Sequence, residues 1–272
     1  MIIGKSTFEE NKTYIMGILN VTPDSFSDGG KYSYIDEAIR HAIAMQQDGA
    51  DIIDVGGEST RPGYSQISVD EEINRVCPVI ERLKRELDIP VSLDTYKNKV
   101  ASAGIKAGAD FINDIWGLKY DSDMAKVIAK SGLSCCLMHN RNNGTIKDFW
   151  TEYIEELKAS VEIAISAGIS QDKIVIDPGV GFGKTYEENL MVINRLDELS
   201  ELGYPVLLGT SRKSVIGITL DLPVNERLEG TLATSVIGVT KGCRFLRVHD
   251  VKENVRAVKM TEAIIFAGQN NN

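Results

Sequence analysis

The sequence predicts a single (β/α)8 TIM barrel of the α/β class, with residues 1–272 forming one domain. Three observations carry this. Short apolar, β-branched runs alternate with longer amphipathic stretches from end to end. Eight such runs are present, and no linker interrupts them. Near-continuous apolar runs of this kind suit a parallel sheet covered on both faces. Eight β–α units in series point to a closed barrel rather than a doubly wound open sheet, the other architecture this alternation permits.

The predicted strands cover residues 14–20, 51–57, 91–94, 111–114, 133–138, 174–177, 206–209 and 245–248. The first helix, 34–47, follows Ser33, a good N-cap residue. The second, 69–86, follows Ser68, and Ser68 with Glu71 has the spacing of a capping box. The other helices are placed at 97–107, 122–130, 150–167, 186–202, 225–241 and 251–266. Gly49, Gly108, Gly132, Gly168, Gly203 and Gly242 each stand just past a helix, where a left-handed residue ends it well. The tail, 269–272, is expected to fray.

The formal net charge is −9. An acidic surface repels phosphate polymers, so nucleic acid is not an expected partner. An anionic substrate would need cations gathered locally. No apolar run is long enough to cross a bilayer, and residues 1–12 lack the apolar core of a signal peptide. A cytoplasmic protein without a membrane partner is expected. The four cysteines, Cys77, Cys135, Cys136 and Cys243, form no C-x-x-C pair and read as structural thiols.

In a barrel of this kind the active site is built at the carboxyl ends of the strands. Those ends carry Asn20, Gly57-Glu58, Asp94, Asn113-Asp114, Met138-His139, Asp177, Gly209-Thr210 and Arg247-Val248-His249. The opposite ends carry no comparable set. A single such Asp is ordinarily a cap or turn residue; several on one rim suggest a site. Three rim loops, 21–33, 59–67 and 139–149, exceed the usual length of about 2–6 residues for βα connections.

Two other motifs fail. Gly179 to Thr185 looks like a phosphate loop, but a Walker A pattern would need glycine where Pro178 stands. Lys184 likewise takes the place of the third glycine of a dinucleotide fingerprint. Either a close backbone approach to a flat ligand or a tight turn would explain these glycines. His41, His139 and His249 are too dispersed to suggest a three-histidine zinc site.

The strand-end segments resemble those of the dihydropteroate synthase family of the folate pathway. The matching stretches are Met16-Gly-Ile-Leu-Asn-Val-Thr-Pro-Asp-Ser-Phe-Ser-Asp-Gly-Gly30 and Gly49-Ala-Asp-Ile-Ile-Asp-Val-Gly-Gly-Glu-Ser-Thr-Arg-Pro-Gly63. Ser92-Leu-Asp-Thr95, Ile112-Asn-Asp114, Met138-His-Asn-Arg141 and Asp177-Pro-Gly-Val-Gly-Phe-Gly-Lys184 follow. Gly209-Thr-Ser-Arg-Lys-Ser214 and Arg247-Val-His-Asp250 complete the set, with no departure at a key position.

The resemblance implies a (β/α)8 barrel, magnesium as cofactor and a homodimer. The implied substrates are 6-hydroxymethyl-7,8-dihydropterin diphosphate and p-aminobenzoate, and the products are dihydropteroate and pyrophosphate. It places Asn113 and Asp177 on the pterin edge and Asp94 deeper against the ring system, with Lys213 on the acceptor atoms of the pterin. Ile115, Met138 and Phe182 would be walls, with Gly209 beside them. Arg247 would stack on the pterin and, with His249, bind diphosphate. Asn20 would lie near magnesium and diphosphate. Phe26, Thr60, Arg61 and Pro62 would close over the aromatic amine, Asp28 would lie in the first loop, and Ser214 would receive the carboxylate. Asp94, Asp177, Lys213 and Arg247 are then the expected catalytic set. A dissociative route follows, because the ring nitrogens can share the charge of a methylene cation. Alanine at Asp177 or Arg247 should nearly abolish turnover and leave the barrel folded.

Other readings differ in what they require. A methyltetrahydrofolate–corrinoid methyltransferase would need neither the Arg247–His249 pair nor the Thr60–Pro62 loop. A sugar-phosphate aldolase or isomerase would use Lys213 as a Schiff base, and a folate-binding protein would release no pyrophosphate. The plainest alternative for Arg247 and His249 is a surface ion pair with Asp250.

Overall fold

The computed structural model describes residues 1–22, 31–59, 66–141 and 148–267. Among them, eight parallel strands form one sheet: β3 (Tyr14–Asn20), β4 (Ile52–Gly56), β5 (Val91–Asp94), β6 (Phe111–Asp114), β7 (Ser134–Met138), β8 (Ile174–Asp177), β9 (Leu207–Leu208) and β10 (Phe245–Val248). Each pairs with its neighbours in chain order, and β10 returns to pair with β3, Phe245 opposite Tyr14. The ring closes between β8 and β9 through an Ile176–Val206 bridge, with the Ile176 N–H donating to Pro205 O at 3.0 Å. The predicted (β/α)8 barrel is the observed fold.

Alternation along each strand sorts the side chains into two cores. Ile15, Leu19, Ile53, Leu93, Ile112, Leu137, Ile176 and Leu246 pack outward with the helices. Met16, Ile52, Phe111, Cys136, Val175, Leu207 and Phe245 fill the barrel. Two residues further along, the same inward face carries Asp54, Asn113, Met138, Asp177, Gly209 and Arg247. A polar layer thus rests on an apolar plug.

The base is closed by an element that the polar start of the chain did not suggest. Strands β1 (Ile2–Ile3) and β2 (Ser6–Thr7) form an antiparallel hairpin turning at Gly4, φ 58°. Ile3 and Phe8 are buried with the barrel core. Phe8 packs edge-on to Tyr14 at 4.7 Å between centroids and lies 5.5 Å from Phe245. Two apolar residues in a polar dozen give no periodic signal, so only the packing reveals their use.

The helices are α1 (Lys31–Gln47), α2 (Val69–Glu86), α3 (Asn98–Ala107), α4 (Met124–Ser131), α5 (Phe149–Ser166), α6 (Tyr186–Asn194), α7 (Leu196–Ser200), α8 (Ser214–Leu220), α9 (Leu228–Thr240) and α10 (Val251–Ile265). None described is long and apolar enough to cross a membrane. Ser33 is not an N-cap, because α1 already begins at Lys31. Ser68 caps α2 by accepting from the Glu71 N–H at 3.1 Å, but Glu71 turns to Arg75, so the reciprocal half of the capping box is missing. The stretch expected as one helix over 186–202 breaks at Arg195, whose N–H is shared between Met191 O and Val192 O. The six glycines expected past helix ends all have positive φ.

The rim of β4 and β5 is tied by a buried ion cluster. Lys97 Nζ donates to Glu58 Oε2 and Glu72 Oε2, each at 2.7 Å, and to Ile67 O at 2.9 Å. Removing one partner of such a cluster leaves uncompensated charge indoors. Lys97→Met is therefore expected to lower unfolding free energy by about 3–5 kcal/mol. Urea denaturation checks this, and an unchanged midpoint would refute it.

Candidate active site

The inward polar layer opens at the carboxyl ends of the strands. Its centre is Asp54, fully buried on β4. Asp54 Oδ2 accepts from Arg247 Nε at 2.6 Å and from Asn113 Nδ2 at 3.1 Å, while Ser92 Oγ donates to Oδ1. Arg247 spans two strands, because its other branch donates from NH2 to Asp94 Oδ2 at 2.7 Å. Burial alone would weaken the charge on Arg247, but Asp54 and Asp94 push its pKa upward and keep it a cation. Burial raises the Asp94 carboxyl to about 7 despite Arg247, with Asp54 adding to the rise.

Asp177, Lys213 and Arg247 meet around Gly209. A Cβ there would lie 3.8 Å from both Asp177 Oδ2 and Lys213 Nζ, and 3.9 Å from Arg247 Cβ. The Gly179 N–H donates to Asp177 Oδ1 at 2.7 Å. Burial raises the Asp177 pKa, opposed by Lys213 and that N–H. Burial lowers Lys213 to about 8, opposed by Asp177. Lys213 Nζ donates to Val180 O and lies 4.7 Å from the Phe182 ring centroid.

Beside these polar groups stands an apolar wall. Ile115 and Met138 pack with Tyr96, and Phe182 and Trp116 lean on them. A buried amide oxygen, Asn113 Oδ1, has no hydrogen-bond partner among the described residues. Such an atom costs about 1–3 kcal/mol unless a ligand N–H meets it. The site therefore combines three carboxylates, an unpaired amide acceptor, two cations and an apolar wall. That set suits a planar heterocycle with N–H donors along one edge.

The remaining expected residues fall as follows. Asn20, at the end of β3, has Oδ1 near Gly56: a Cβ on Gly56 would meet Asn20 Oδ1 at 3.6 Å and Asp94 Oδ2 at 3.7 Å. His249 Nδ1 hydrogen-bonds with Ser211 Oγ at 3.0 Å. Asp250 pairs with Arg212, while Arg247 pairs with Asp54 and Asp94, so Arg247 does not form the surface ion pair with Asp250. Ser214 is exposed as the first residue of α8. Phe26, Asp28, Thr60, Arg61 and Pro62 lie outside the described residues.

The glycine-rich stretch after β8 is a tight turn. A Cβ on Gly179 would come 1.8 Å from His139 O, and one on Gly183 would come 2.2 Å from Arg141 O. Three of the four cysteines are buried and all four are free; Cys77 is half-buried.

Comparison with known proteins adds the deciding observation. A family profile described as pterin binding enzyme matches residues 16–249. The dihydropteroate synthase of Clostridium beijerinckii is 59% identical over 97% of this chain and 99% of that protein. The chain belongs to the dihydropteroate synthase family. Like the other dihydropteroate synthases it is an enzyme, a transferase. A crystal structure of dihydropteroate synthase from Clostridium difficile in the presence of pteroic acid superposes with a TM-score of 0.91. That protein is 55% identical, with 94% of this chain and 97% of that one covered. The Xanthomonas albilineans dihydropteroate synthase with 4-aminobenzoic acid gives 0.89 at 39% identity, covering 93% of each chain.

Two groups of this candidate site were not singled out from the sequence. Asp54 had a signal, since it is the one charge inside an otherwise apolar strand, Ile52–Gly56. Ser211, the partner of His249, had none beyond its place in a motif.

Magnesium can be tested against the donors present. Among the described residues no three acidic, imidazole or thiol groups gather to hold a metal by themselves. Asn20 supplies one neutral oxygen on the rim. Mg²⁺ characteristically keeps several waters and takes one or two protein ligands plus substrate phosphates. The donor set fits a magnesium ion carried largely by its diphosphate.

Proposed function

We propose that the inward polar layer binds 6-hydroxymethyl-7,8-dihydropterin diphosphate and transfers its pterinylmethyl group to p-aminobenzoate, releasing pyrophosphate. The observation that carries this is the convergence of Asp94, Asn113, Asp177, Lys213 and Arg247 on one mouth, with Asn113 Oδ1 unpaired. Asp177 and Asn113 take the amide and amino edge of the pterin. Lys213 donates to its acceptor atoms. Ile115, Met138 and Phe182 hold its faces.

Cleavage of the carbon–oxygen bond comes first. Positive charge spreads from the methylene carbon into the ring nitrogens, and Asp94 and Asp177 stabilise it. Arg247 and His249 favour the departing diphosphate oxygens. When bound, magnesium at Asn20 would neutralise charge on that leaving group. The aryl amine, a weak base already carrying a lone pair, then attacks the carbon and loses a proton, so no strong general base is required. Exclusion of water prevents capture of the cation as an alcohol.

Phe26, Thr60, Arg61 and Pro62 are proposed for the aromatic amine, with Asp28 beside Phe26 in the first loop, and Ser214 for its carboxylate. Arg61→Ala is expected to weaken p-aminobenzoate binding more than pterin binding. Equal loss in two calorimetric titrations would remove the assignment. A homodimer is the proposed assembly; exposed Val236, Ile237, Met260 and Ile264 on α9 and α10 supply apolar surface for one.

A pyrophosphate-release assay with and without p-aminobenzoate tests the whole reading. Dihydropteroate and pyrophosphate should appear in equal amounts when both substrates are present. A protein that binds pterin and releases none would overturn it.

A further inference from the structure

Lys184 belongs to the motif that failed as a phosphate loop, and none of the steps above uses it. Its side chain is partly buried in the turn between β8 and α6. Its ammonium meets neutral acceptors: His139 Nδ1 at 2.8 Å, Gly179 O at 2.9 Å, Phe182 O at 3.0 Å and His139 O at 3.4 Å. Burial lowers its pKa to about 7. A cation held there at that cost invites a functional account.

Its partners flank the proposed pterin edge. Gly179 donates its N–H to Asp177 Oδ1 and offers its carbonyl to Lys184. Phe182, also gripped through its carbonyl, leans on Ile115 and Met138 and lies under Lys213. His139 directly follows Met138 on β7. Lys184 donates to His139 Nδ1, so Nε2–H donates to Glu156 Oε2 at 2.7 Å and one tautomer is fixed. Burial, reinforced by the Lys184 charge, pushes the imidazole down to about 2, so it stays neutral.

We propose that Lys184 is a positioning residue for pterin transfer: its ammonium braces the 178–184 turn against His139, and so sets both the orientation of the Asp177 carboxylate and the seat of Phe182. This rests on the assignment of Asp177 to the pterin edge. The groups that act on Asp177 are Lys213 from the segment after β9, Arg247 from β10, Lys184 from its own turn, and the neutral Cys136 of β7, Tyr153 of α5 and Cys243 before β10. Those facing Lys184 are Asp177, Lys213, Arg141, Glu156, His139 and the ring of Tyr153, 5.5 Å away at its centroid. Removing Lys184 takes one cation from Asp177 and loosens the Gly179 peptide. Both changes favour the protonated acid.

The test uses full-length wild type, Lys184→Gln and Lys184→Met. Calorimetric binding of 6-hydroxymethylpterin is measured from acid to neutral pH, beside thermal unfolding. Loss of the brace should weaken pterin binding about tenfold, the size of one good hydrogen bond. The acid limb of the binding profile should move to higher pH, a change that a merely structural role would not produce. A folded variant with wild-type affinity and an unmoved limb overturns the proposal, whatever its melting temperature. If neither variant folds, Lys184 serves the barrel rather than the site, and the proposal falls too. A wild type that binds no pterin would instead strike the assignment of Asp177.

Discussion

Asp177→Asn is expected to fold normally and to lose about 10²–10³-fold in kcat/KM for pterin transfer. The substitution keeps the shape of a fully packed position, so the Gly179 N–H still finds an oxygen. Two things are lost. The carboxylate that balances Lys213 and the developing pterin cation disappears, which at a preorganised site typically costs about 2.7–4 kcal/mol. The new amide also turns an N–H toward a ligand edge that itself carries donors. Steady-state kinetics beside a thermal melt would check this. A folded variant within tenfold of wild type would remove Asp177 from the chemistry.

Arg247→Ala should fail more broadly, in turnover and in stability together. From the sequence alone the barrel was expected to survive this change. The structure gives the reason to expect a loss instead: Arg247 neutralises both Asp54, fully buried, and Asp94. Without it two indoor carboxylates face each other, a loss of about 3–5 kcal/mol. The sign of the pH effect follows from Asp94. Its folded pKa, about 7, already lies above the ordinary carboxyl value, because burial favours the protonated form. Removing the cation raises it further. The variant's stability deficit should therefore be largest above neutrality and shrink as pH falls and the acid takes up a proton. Urea unfolding at a mildly acidic and a mildly basic pH reads this directly. A deficit that grows on acidification would contradict it.

The barrel was legible because parallel strands buried on both faces write themselves as apolar runs. Strand-end residues such as Asp94, Asn113, Asp177 and Arg247 could be placed on one rim for the same reason. What stayed hidden was pairing. Nothing in the spacing says that Arg247 holds Asp54 across 193 positions, or that Asp250 chooses Arg212 instead. Asp54 was hidden by its neighbours, which look like core. Helix ends misled where a cap had competition: Glu71 preferred Arg75, and α1 began before Ser33. The hairpin under the barrel escaped because Ile3 and Phe8 act singly, without a repeating period.

That hairpin gives the molecule a direction useful at the bench. The Met1 ammonium is tied to Phe8 O at 3.2 Å, beneath the starts of β3 and β10 and at the end remote from Asp177 and Arg247. A tether joined to Met1 for immobilisation would leave the entrance pointing at the bulk solution. Cutting away the first eight residues to shorten the chain would instead uncork the keg, wetting Phe245 and Tyr14 from below.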